Sequence, residues 1–150
     1  MPRQSITLQR DIAHGNTIFW RLTDENLRTV VPFLDFIIDC VDVQFLRPKT
    51  VEARAYSLKK WYQFLSIIQV DAFDADDDVL ANFRNHLLER EAVNRSNDAQ
   101  ARRRTINVDL RNVYAYYAWL QKNNENCREK RLLGIEACQI TSSLLVERTA

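Results

Sequence analysis

Two sets of side chains have the types and spacing to meet a polyanion. In residues 48–68, Lys49, Ala53, Tyr56, Lys60 and Gln63 recur at intervals of three and four, so on an α-helix they share one face. Further along, Gln100, Arg104, Asn107 and Arg111 recur at intervals of four, three and four, with Arg102 and Arg103 beside them. Lysine and arginine neutralise phosphates, while arginine, asparagine and glutamine can also reach base edges. The competing reading is a solvated helix face, which needs no partner, and composition alone favours it.

Catalytic chemistry is much less visible. The chain has only two histidines, His14 and His86, and only two glycines. No HExxH, GxSxG, P-loop or GxGxxG pattern occurs. His86 lies among Asn85, Leu87 and Leu88, a setting for a packed or exposed histidine rather than a base. Cys40 falls on the apolar side of a helical segment, and nothing near Cys127 marks a nucleophile. The run Asp74, Asp76, Asp77 and Asp78 precedes an apolar helical pattern. Carboxylates there cap free N–H groups and favour the helix dipole. The alternating oxygen ligands and glycine of a calcium loop are missing. The chain is therefore expected to lack catalytic residues, metal, cofactor and small-molecule substrate.

The elements that must position the basic residues read mostly as helices. A chain of 150 residues, 46% hydrophobic and 27% charged, suits one globular domain with extensions. Two glycines and three prolines are poor material for the turns of an all-β protein. Helices are expected over 24–45 (its main part from Val31, with Pro32 in the first turn), 48–68, 77–90 and 102–122. Their apolar stripes are Val30, Leu34, Ile37 and Val41; Val51, Ala55, Leu58, Tyr62 and Leu65; Val79, Leu80, Phe83 and Leu87; and Ile106, Leu110, Val113, Tyr117 and Leu120. Residues 91–101 read as a polar loop. Residues 1–22 admit two readings: a β-hairpin turning at His14-Gly15-Asn16, or a loose arm that packs Phe19 and Trp20.

The net charge of +1 hides a pattern. Residues 47–70 hold five basic and one acidic residue, 71–98 three and eight, and 99–131 eight and three. Two basic blocks could form one basic face if the fold joined them. Three cysteines with no CxxC pair read as reduced thiols of a cytoplasmic protein. No segment suits a signal peptide or a membrane span.

The order of these pieces resembles the N-terminal core-binding (SAM-like) domain of tyrosine recombinases, the phage-integrase family. The second helix carries Arg47-Pro48-Lys49-Thr50, then Leu58, Trp61 and Phe64-Leu65; the fourth carries Thr105-Ile106-Asn107, Leu110-Arg111, Tyr116-Tyr117 and Trp119-Leu120. The resemblance covers about residues 30–122. It departs at Arg54, where an aromatic is expected with Tyr56 displaced by two, and at Arg47, where a serine cap is usual.

The resemblance implies an all-α fold, a four-to-five-helix bundle with the N-terminal hairpin or arm attached. Its domains would be an arm or hairpin at 1–23, a core-binding domain at 24–122, and a linker or the start of a catalytic domain at 123–150. It implies a domain that clamps double-stranded DNA at a recombination core site, with neighbouring protomers in weak contact on the DNA. The DNA contacts would be Lys49, Thr50, Tyr56, Lys60, Arg102, Arg103, Arg104 and Arg111, with Asn107 on a base edge. The family's catalytic Arg-His-Arg set and tyrosine have no counterpart here, so this stretch should not cut DNA. The rival expectation is a helical protein-interaction domain of a regulator, with an exposed apolar groove.

Overall fold

The computed structural model of the chain describes residues 6–94 and 99–124, apart from the side chains of His14, 91–94 and 99–100. Cys127, Cys138, the side chain of Gln100 and nearly all of the expected linker at 123–150 lie outside the described residues. The chain divides into two compact units, residues 1–69 and 70–150.

The first unit opens with a β-hairpin. Strands β1 (Thr7–Ile12) and β2 (Ile18–Thr23) pair antiparallel, from Thr7 opposite Thr23 to Ile12 opposite Ile18. A short 3-10 turn, His14–Asn16, joins them. Gly15 and Asn16 take φ of 75° and 62° there, the left-handed region that glycine and asparagine tolerate best. One hairpin face carries Leu8, Trp20 and Leu22. Trp20 and Leu22 are buried. On the other face Arg21 donates to Gln9 Oε1 at 2.8 Å and pairs with Asp11 at 3.4 Å.

This hairpin corrects the all-α expectation. The described residues form four α-helices plus a two-stranded antiparallel sheet, a mixed α and β arrangement. Alternation over six residues per strand is a shorter signal than the helical repeats, and the scarcity of glycine argued only against an all-β protein. A single tight turn needed only one glycine.

Residues 24–30 are not helical either. Asp24 Oδ1 accepts from the N–H groups of Asn26 and Arg28, both at 2.9 Å, and fixes a turn before the helix. Helix α1 runs Val31–Asp42 with Pro32 in its first turn. It buries Phe33, Phe36, Ile37 and Cys40, so of the expected stripe only Ile37 is fully covered. Val31 and Ile38 stay exposed at 57% and 38%. An apolar residue lies on almost every side of α1, so periodicity could not choose its inner face.

Helix α2 spans Pro48–Ile68, as expected from the sequence. It ends at Gln69, which turns left-handed at φ 56° and donates its N–H back to Leu65 and Ser66. Val51, Ala55, Leu58, Trp61, Phe64 and Leu65 are buried. Arg54 lies against α1: its guanidinium is 5.7 Å from the centre of the Phe36 ring, and Nη1 is 3.6 Å from Cys40 Sγ. A planar cation can stack on an aromatic face much as a ring does. That accounts for arginine at the position where the resemblance expects an aromatic.

The second unit holds the other two helices. Asp71 caps a 3-10 turn at Ala72–Asp74 by accepting from Phe73 N–H at 2.8 Å. Helix α3, Asp77–Asn94, starts where Asp76 Oδ1 accepts from Val79 N–H at 3.0 Å. The acidic run thus serves as a helix start. Helix α4 spans Ala99–Asn123. Both helices extend into the segment expected as a loop over 91–101, of which 95–98 lie outside the described residues. Leu80, Phe83 and Leu87 of α3 are buried, as are Ile106, Leu110, Val113, Tyr117 and Leu120 of α4. Burying each such side chain contributes about 1.5–3 kcal/mol. The Tyr117 hydroxyl donates to the Ala72 carbonyl at 2.6 Å and ties α4 to the turn before α3.

Candidate nucleic-acid interface

The basic residues of α2 separate by position along the helix. Arg47, Lys49 and Thr50 are exposed at its N-terminus. Pro48 has no N–H, and the N–H groups of Thr50 and Val51 already donate to the Arg47 carbonyl at 2.9 and 3.1 Å. Within the first turn this leaves the Lys49 N–H pointing outward, so the anion-binding capacity of this helix end is small. The Lys49 side chain and exposed Arg47, two residues before it, supply the positive field. Lys60 lies further along and is half-buried, with interactions of its own.

Tyr56, expected as a DNA contact, also packs within the first unit. It is 46% exposed, and its ring meets Trp20 of β2 edge-on, with centroids 5.5 Å apart. The ring therefore covers the hairpin, and only its outer part is open to a ligand. The hairpin, uncertain from the sequence, is the reason.

On α4 the burial pattern re-sorts the expected stripe. Arg104 and Arg111 are exposed, whereas Arg102 and Arg103 are half-buried. Asn107 is only 1% exposed and is not without a partner there. It cannot reach a base edge while the helix keeps this face covered, which corrects its expected role. In its place Val108, 45% exposed, sits between the two arginines. Asp109, the one acid of this stretch, is 5% exposed. The outward face from Arg104 to Arg111 thus carries two cations, Thr105 and Val108, with no carboxylate.

The residues of the two basic helices lie in different units, α2 in 1–69 and α4 in 70–150. Each basic face is a feature of its own unit. Among the described residues, no group of three or more His, Cys, Asp or Glu side chains is placed to hold a metal ion. No described helix is long and apolar enough to cross a membrane.

Two features escaped the sequence reading. Arg47 is an exposed cation beside Lys49, noticed only as an unusual cap. Arg10 is a charged residue on the apolar side of the hairpin, detectable as a break in the alternation Leu8–Arg10–Ile12 once the strand is known.

No family model, curated protein or solved structure matches this chain. The functional reading therefore rests on its own residues and on the motif resemblance.

Proposed function

We propose that this chain binds duplex DNA through its basic helix faces, as the DNA-binding part of a site-specific recombinase of the kind it resembles. The observation that carries the reading is the outward face of α4. Arg104 and Arg111 stand seven residues apart, about 10 Å along a helix axis. The major groove is about 12 Å wide. Two arginines at that spacing can meet phosphates on facing strands, and Val108 between them offers an apolar contact. Asp109, the one carboxylate between Arg104 and Arg111 in the chain, is buried. Arg47 and Lys49 at the start of α2 provide a second, separate pair of cations.

Contacts of this kind position a domain more than they specify sequence. With Asn107 buried, the described α4 face offers little direct base readout. Sequence preference would then come from arginine at guanine or from DNA shape.

A salt titration of binding to random-sequence duplex DNA, read by fluorescence anisotropy, tests the proposal. Each phosphate contact adds about 0.9 to the slope of log affinity against log salt. The double variant R104Q/R111Q should lower that slope by about two while its circular dichroism stays that of the wild type. An unchanged slope and affinity would remove α4 from the interface. Absence of binding by the wild type at low salt would reject DNA binding by this chain.

A further inference from the structure

The first unit contains a cleft of about 270 Å³ between the hairpin tip, the end of α1 and the first turns of α2. Ile18, Trp20, Val41, Leu46, Pro48 and Val51 form its apolar wall. Arg10 and Glu52, both exposed, bring one charge of each sign to its lining. They are more than 4 Å apart, since no ion pair joins them. Neither side chain makes a hydrogen bond with the described residues.

Two local rules are broken here. Arg10 lies between Leu8 and Ile12 on the hairpin face that packs against the helices, directly across from Trp20. The pleat calls for an apolar residue at that position. The second break is in the loop between α1 and α2. Phe45 adopts a positive φ of 51° and is 82% exposed, and its neighbour Leu46 lines the cleft. A bulky residue in the left-handed region is strained, and such strain is retained where the surroundings or a function demand it. Breaks of this kind cluster at functional sites.

We infer that this cleft receives an apolar side chain of a partner peptide in which that residue is flanked by an acidic and a basic residue. The volume is below the range of about 300–1,000 Å³ usual for drug-sized ligands, and suits a single leucine or aromatic anchor. Arg10 takes the acidic neighbour and Glu52 the basic one. An apolar groove alone would not select a partner; the opposed charges make the selection. The site shares no residue with the α4 face, so the α4 variants leave it intact; it borders Arg47 and Lys49 at the start of α2.

The probe is a set of acetylated, amidated pentapeptides with the central triplets Glu-Leu-Arg, Glu-Ser-Arg, Glu-Leu-Glu and Arg-Leu-Arg. Binding is read by amide shifts in nitrogen-edited NMR spectra of the whole chain. Glu-Leu-Arg should shift the resonances of Arg10, Ile18, Trp20, Val51 and Glu52, and Glu-Ser-Arg should not. Arg10→Glu should weaken Glu-Leu-Arg at least about tenfold and turn the preference towards Arg-Leu-Arg. Glu52→Lys should turn it towards Glu-Leu-Glu. Both positions are exposed, so these variants keep the fold. The inference is overturned if no peptide shifts these residues at about 10 mM, or if both variants bind all charge patterns alike. Free leucine binding as tightly as the peptide would also overturn it, in favour of a small-molecule pocket.

Discussion

Arg21, Arg54 and Arg104 carry the same charge into three different surroundings. Arg21 is used up within the hairpin by Gln9 and Asp11. Arg54 is consumed by Phe36 and Cys40, and burial still holds the Cys40 thiol above its ordinary range despite that cation. Arg104 alone of the three faces outward without cover. Asp77 gives a residue-level test. Burial, then the neighbouring Asp76 and Asp78, raise its carboxyl above the ordinary value. Since the folded value exceeds the unfolded one, the ionised group weighs against folding at neutral pH, and that burden vanishes below the unfolded value of about 4. The melting temperature of the wild type relative to D77N should therefore rise as pH falls from 7 towards 4. A difference that stays constant across this range would show that Asp77 titrates normally.

At the scale of elements, the ends of helices were more legible than their orientation. Pro48 and the run of aspartates before Asp77 mark helix starts by local chemistry, and local chemistry is written in consecutive residues. Asp76 offers the check. It holds the Val79 N–H at 3.0 Å, so Asp76→Ala should lower stability by about 1 kcal/mol in urea denaturation. The inner face of α1 was not legible, because apolar residues surround that helix. Asn107 was misplaced for a related reason. It follows Ile106 at the margin of a wide buried arc, and a polar side chain at a margin can fall on either side. Val108 reached the surface by the same geometry.

For the molecule as a whole, net charge is a poor guide to binding. The total is +1 and the isoelectric point about 7.7, yet the exposed arginines of α4 form a local positive field. If that field drives the proposed DNA binding, salt-dependent affinity should persist at pH 8.5, where the whole chain is no longer positive, because arginine keeps its charge there. Affinity that disappears on crossing the isoelectric point would mean that only bulk charge matters. Residues such as Ile106, Leu110 and Val113, repeating with the helical period, already set out in the chain where α4 is and which side it buries. So did the cap at Asp76 and the proline at the start of α2. These depend on neighbours within one or two turns. The pairing of β1 with β2, the stacking of Tyr56 on Trp20, the burial of Asn107 and the cleft that exposes Arg10 depend on residues far apart in the chain. Each follows from which surfaces meet once the elements pack, and no interval along the sequence encodes that.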